Sequence, residues 1–219
     1  MANYENIINY KSNSELENGV LKNKLGLKNS DELEIAERMV TNYKLAKLYL
    51  QPTELEFTVD YYLSIHKTLF EDVYPFAGNI RSEVIEKRIP FCLPTLIYQN
   101  LKEILNKARI LANKIENEED FIEVLAYLYS ELDIIHPFRE GNGRTEREFL
   151  RQYVNYVNEK IDFGKYELDY SRISTNQKDG LLHAIIVADA TCELESLKEY
   201  IRIMLVNKQL QLDEIPKQK

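Results

Sequence analysis

Apolar residues recur along this chain mostly at three- and four-residue spacing, the period of amphipathic helices. The clearest stripe lies in Thr95 to Ile115, where Ile97, Leu101, Ile104, Leu105, Ala108, Leu111, Ala112 and Ile115 share one face and Pro94 suits a helix start. Glu119 to Ile135 is a second apolar-rich helix. It should stop ahead of Pro137, because the residue before a proline avoids helical backbone. Asp31 to Leu50 reads as a helix with Ser30 as its N-cap and Glu32 and Glu34 in the first turn. Phe57 to Phe70 has the same period at Val59, Tyr62, Leu63 and Leu69. Further helices are predicted from about Gly143 to Glu159, Gln177 to Ala190 and Leu194 to Gln209, with a charged, frayed tail from Asp213. Ile80 to Phe91 is the exception. Between Gly78 and Pro94, and interrupted by Pro90, it reads as a small β-hairpin with Ser82 to Ile85 and Ile89 to Phe91 as its arms. The pattern therefore predicts an all-α helical bundle carrying one hairpin, a single domain over residues 1–219.

The 219 residues are enough for a real core, since folding at this size hides about 70% of the unfolded chain's surface. No run approaches 18 apolar residues, so no membrane helix is expected, and Met1 to Lys11 is too polar for a secretion signal. Cys92 and Cys192 make no disulfide framework and read as reduced thiols of a cytoplasmic protein. They have no ligand partners at zinc-like spacing. The net charge of −8 argues against a nucleic-acid surface, because phosphate backbones need clustered Lys and Arg. A small anionic ligand needs only one local positive site, and one segment supplies it.

That segment is His136-Pro-Phe-Arg-Glu-Gly-Asn-Gly-Arg-Thr-Glu-Arg147, a helix end, a glycine-bearing loop and a helix start. Gly141 and Gly143 permit positive φ and close approach of a ligand. Their amides, with the first N–H groups of the next helix, would cradle an anion. Arg144, Arg147 and Arg151 follow at i, i+3 and i+7, which stacks three guanidinium groups on one face. Glu140 is a hard oxygen ligand placed where Mg²⁺ could bridge carboxylate and phosphate. His136 is the side chain here whose ordinary pKa permits proton exchange near neutrality. Each feature alone reads more simply as a turn, a salt-bridged helix face or a capping histidine; the conjunction within twelve residues points to nucleotide chemistry.

This segment resembles the Fic-domain signature, His-Pro-Phe-x-(Asp/Glu)-Gly-Asn-Gly-Arg-x-x-Arg, at every defined position. Asn23 to Leu27, Ile65-His66, Leu69-Phe70, Asp72 to Pro75, Ala77-Gly78, Arg81, Phe91, Pro94 and Leu168 to Ser171 look like the surrounding framework, so the resemblance runs over roughly residues 20 to 200. Residues 1–19 and 210–219 would be an N-terminal extension and a C-terminal tail. The resemblance implies a Fic-type helical bundle that transfers AMP from ATP to a Ser, Thr or Tyr hydroxyl of a target protein and to itself. Carried onto this chain, His136 would be the general base, Phe138 the loop anchor and Glu140 the Mg²⁺ ligand. Gly141, Asn142 and Gly143 would hold the α-phosphate, Arg144 the β-phosphate and Arg147 the γ-phosphate. Doc-type relatives have a lysine at the second glycine and transfer the γ-phosphate; Gly143 favours adenylyl transfer. The hairpin would be a flap that pairs with the target backbone, its tip formed by Glu86, Lys87, Arg88 and Ile89.

Fic proteins are commonly restrained by a helix reading (Ser/Thr)-x-x-x-Glu-(Gly/Asn), whose Glu pairs with the signature's second arginine. No complete copy is present; Ser30 with Glu34 has the spacing but is followed by Ile35. Ser30 and Glu34 are therefore either an inhibitory pair or an ordinary helix start, and in the second case restraint would come from a small partner protein or be absent. His66 and His183 read as structural. The alternatives to an adenylyltransferase are a transferase using another nucleotide, such as UTP or GTP, and a binding protein that keeps the motif without turnover.

Overall fold

The computed structural model describes residues 14–51, 54–86 and 90–208. Short polar signals fix where its helices begin. α1 (Ser30–Tyr49) is capped by Asn29, whose side-chain oxygen accepts from the N–H groups of Asp31 and Glu32. Ser30 was the expected cap and is instead the first helical residue. Asn and Ser cap about equally well, and Asn29 has the extended backbone that a cap requires. α2 (Val59–Phe70) is capped by Thr58. α3 (Pro94–Leu111) starts on its proline, and α4 (Glu118–Ile135) on Asn117 with three acidic residues in the first turn. α5 (Asn142–Asn158) follows Gly141 and has no side-chain cap. α6 (Lys178–Thr191) and α7 (Glu195–Met204) come last.

α5 lies at the centre of the bundle. Phe149, Leu150, Tyr153, Val154 and Val157 are wholly buried, and the helix packs against α2 and α4. Each such side chain contributes about 1.5–3 kcal/mol of transfer free energy. This packing fixes the start of α5 against the end of α4, and the site lies between those two ends.

Two features differ from the periodic reading. α7 stops at Met204 rather than Gln209: β2 (Leu205–Asn207) pairs antiparallel with β1 (Tyr166–Leu168), Leu205 opposite Leu168. Three-residue strands show too little alternation to be seen in sequence, and Leu205 continues the helical spacing of Ile201 and Met204. The hairpin is also narrower than expected. Its described pairing is one antiparallel bridge, Glu86 with Pro90, and a 3.4 Å bond from the Phe91 N–H to the Ile85 carbonyl; Ser82 to Ile85 forms no strand. Lys87, Arg88 and Ile89 lie outside the described residues. Among the described residues no helix is long and apolar enough to cross a membrane.

Candidate active site

His136 ends α4 in left-handed backbone, φ 44° and ψ 62°. A non-glycine residue there carries strain of roughly 1–3 kcal/mol that its surroundings must hold. Arg81, only 4% exposed, does so. Its guanidinium donates from Nε to the His136 carbonyl at 2.7 Å, and to the carbonyls of Glu83 and Cys92 at 2.6 Å each. Its own N–H reaches the Pro137 carbonyl at 2.9 Å. A cation at the carbonyl end of α4 also opposes the helix dipole. One arginine thereby ties the flap segment to the histidine. Phe91, at the base of the flap, stacks on the imidazole at 3.8 Å and 12°. Nδ1 faces the Asp133 carbonyl at 3.0 Å and the Asp133 carboxylate at 3.7 Å. Both partners are acceptors, so Nδ1 carries the proton and Nε2 the lone pair, the form a base requires.

The loop after His136 is braced from beneath. Phe138 is wholly buried, stacked between Tyr62 (6.0 Å) and His66 (3.7 Å). The Asn142 side chain bonds both the N–H and the carbonyl of Phe138, each at 2.8 Å. It closes the loop, so what Asn142 offers an anion is its backbone N–H. His66 is structural: Nδ1 accepts from the Gly78 N–H at 2.8 Å, so Nε2 bears the proton and donates to the Glu140 carbonyl at 2.9 Å. Burial lowers its pKa to about 4, which keeps the ring neutral. Gly141 has φ 85° and sits against the Phe70 ring, where a Cβ would stand 2.5 Å from Cε2. Gly143, in contrast, lies in the first turn of α5 without positive φ, so only Gly141 uses the conformational freedom expected of both. With no side-chain cap, the first N–H groups of α5 have no helical partner and face the loop, an arrangement suited to an anion.

The charged residues divide. Glu140 is partly exposed; one carboxylate oxygen accepts from the Gly141 N–H at 2.9 Å and lies 3.7 Å from Arg144. Arg144 and Arg147 line one cavity of about 260 Å³ with Asn42, Tyr49 and Tyr170. Arg151 is not among its lining residues: it grips Glu148 at 2.7 and 2.8 Å and lies over the Tyr49 ring, so the expected row of three guanidinium groups is a row of two. Glu146 is fully buried beside Arg147, and burial pushes its carboxyl well above the usual range. On the flap side, Ile85, Glu86, Phe91, His136, Arg139 and Glu140 surround a second cavity of about 370 Å³.

Ser30 and Glu34 line a cavity of about 550 Å³ with Glu37, Glu140 and Arg144, and Arg147 is not among its lining residues. Glu34 pairs with Arg38 of its own helix at 2.5 Å, both side chains about two-thirds exposed. The α1 carboxylate that reaches the signature is Glu37, which ion-pairs with Arg144 and accepts from the Tyr74 hydroxyl. Sequence reasoning missed it, although a signal existed: Glu37 lies at i+4 between Leu33 and Thr41, on the inward face of α1. Among the described residues no group of three His, Cys, Asp or Glu could hold a metal alone. Glu140 would be a single carboxylate ligand, so a Mg²⁺ there would need other oxygens to complete its shell.

A helical bundle that gathers an imidazole, an open helix N-terminus and two arginines around one loop has the layout of a nucleotide-handling domain. The comparisons with known proteins give that layout its family. The model of the Fic/DOC family matches residues 56–154. Over 151 residues the chain is 31% identical to the probable protein adenylyltransferase y4lH of Sinorhizobium fredii, covering 68% of this chain and 77% of that protein. This chain belongs to the Fic/DOC family. It is also 33% identical over 153 residues to the protein adenylyltransferase VbhT of Bartonella schoenbuchensis, an alignment that takes in 69% of this chain but only 32% of VbhT. The fold resembles the N-terminal Fic domain of a VirB-translocated Bep effector protein from Bartonella quintana, solved with bound ADP, at TM-score 0.78 and 26% identity. That similarity covers 91% of this chain and 98% of the other.

Proposed function

We propose that this chain is a protein adenylyltransferase that moves AMP from ATP onto a Ser, Thr or Tyr hydroxyl of a target protein, and onto itself. The observation that carries the reading is the pairing of a His136 imidazole in the Nε2-basic form with the uncapped start of α5 across the Gly141 turn. The relatives named as adenylyltransferases and the ADP-bound Bartonella quintana domain support it.

In this reading the triphosphate lies along the start of α5. Backbone N–H groups of Asn142 and Gly143 hold the α-phosphate, Arg144 the β-phosphate and Arg147 the γ-phosphate. The target hydroxyl gives its proton to His136 Nε2 while its oxygen attacks the α-phosphorus. The α–β phosphoanhydride bond breaks, and pyrophosphate leaves with the electron pair. Preorganised N–H donors at the α-phosphate stabilise the charge that develops there. Glu140 would hold Mg²⁺, which would supply positive charge against the negative charge of the phosphates. Glu86, Lys87, Arg88 and Ile89 would form the flap that aligns the target by backbone pairing. The pairing of Glu34 with Arg38 weighs against an internal Ser30/Glu34 restraint, which leaves a chain active alone or one held by a separate small partner protein. The free thiols of Cys92 and Cys192 fit a cytoplasmic protein.

Incubation with ATP labelled at the α-phosphate tests the reading. Label should appear on protein with the wild type and vanish with His136→Ala, and mass spectrometry should locate an added AMP. Label arriving only from the γ-phosphate would replace the proposal with phosphate transfer.

A further inference from the structure

The contact between Glu37 and Arg144 crosses from α1 to the start of α5 and belongs to no step of the reaction above. Glu37 is 6% exposed, and both of its oxygens are engaged, one by Arg144 and one by the Tyr74 hydroxyl. Tyr74 is itself 2% exposed. Arg144 makes a second bond to the same helix, donating to Thr41 Oγ1 at 3.2 Å, and its guanidinium lies over the Phe70 ring at 4.8 Å. A guanidinium has five N–H donors in a rigid fork. Here α1 takes two of them and an aromatic face supports the plane, which leaves the remaining donors in one fixed orientation at the edge of the cavity.

We infer that Glu37 is a positioning residue for nucleotide: it locks Arg144 against α1 so that the free side of the fork is already aimed at a phosphate beyond the first. The inference rests on the reading of Arg144 as a phosphate contact. An arginine held this way loses little side-chain freedom when a phosphate arrives, whereas an untethered one loses most of its rotamers. The negative charge of Glu37 opposes a phosphate only weakly, because Arg144 and Tyr74 already neutralise and hydrogen-bond it. Positioning should therefore outweigh repulsion, and the affinity for nucleoside di- and triphosphates should depend on α1, an element outside the signature.

Calorimetric titration of ATP, ADP and AMP, with Mg²⁺ present, into wild type and Glu37→Gln tests this without any transfer step. ATP and ADP should weaken by roughly tenfold, the equivalent of one charge-assisted hydrogen bond, while AMP, which has no second phosphate, should be unchanged. In an Arg144→Ala background the Glu37 substitution should have no further effect on ATP. If Glu37→Gln does not fold, Tyr74→Phe removes the supporting hydroxyl without touching a charge, and should show the same selective loss at smaller size. Equal weakening of all three nucleotides, an additive effect in the Arg144→Ala background, or tighter ATP binding would each overturn the inference, the last by making Glu37 a restraint. If nucleotide binds as predicted but no AMP reaches any protein, the adenylyl-transfer reading fails and this inference stands.

Discussion

The two signature glycines should respond oppositely to alanine. At Gly141 the backbone has φ 85°, which costs an L-residue about 1–2 kcal/mol. The added methyl would also stand 2.5 Å from Phe70 Cε2 and 2.9 Å from Cε1. Phe70 has no exposed surface and stacks on His66 at 4.7 Å, so it cannot swing aside. Overpacking of this kind costs about 1–3 kcal/mol. Gly141→Ala should therefore lose about 2–5 kcal/mol, a large part of a typical domain's stability of about 5–15 kcal/mol. Gly143 has helical backbone, and its Cβ would meet only Arg147 Nη1, at 3.2 Å, the far end of a flexible side chain. Alanine there gains up to about 1 kcal/mol of helix propensity, so stability should hold or rise, while Arg147 is displaced and ATP affinity falls. Urea unfolding of both variants, followed by circular dichroism, is the assay. A Gly141→Ala unfolding free energy within about 1 kcal/mol of wild type, or greater damage from Gly143→Ala, would falsify this account of the loop.

His136→Ala should reduce AMP transfer by roughly 10²–10⁴-fold with ATP affinity preserved, measured by label incorporation alongside calorimetry. Glu34→Gly should leave self-labelling unchanged and move stability by no more than about 1 kcal/mol, since its ion pair is exposed; a rise in labelling would restore Glu34 as a restraint. His66 sets an acid limb. Its folded pKa, about 4, lies below the ordinary 6.5, so the unfolded chain binds the extra proton between those values and stability falls as pH drops through that window. Urea unfolding should show the wild type's advantage over His66→Gln shrinking by about 3 kcal/mol between pH 7 and pH 4; a constant difference would mean that His66 is not buried in its neutral form.

Much of this protein is legible in its sequence. The helices follow from apolar spacing and, for α3, from the proline at its first position, signals that act within a few residues of themselves. The loop from His136 to Arg147 was legible because its chemistry is contiguous in sequence. What the sequence left open depends on contacts between distant residues. Ser30 and Asn29 are equivalent caps by residue type, and only the backbone path chooses between them. Arg151 has the spacing of a phosphate ligand, yet Glu148 and Tyr49 claim it. Glu34 and Glu37 are α1 carboxylates three residues apart, so periodicity places them close together on the helix without saying which of them meets the signature. Packing of α1 beside Tyr74 and the start of α5 decides that Glu37 meets Arg144 while Glu34 pairs with Arg38 of its own helix. Short-range order therefore determined the elements and the reactive loop of this protein. The partners of its charges were decided by tertiary structure, because electrostatic contacts depend on distance in space, and residues 37 and 144 are neighbours only once the chain has folded.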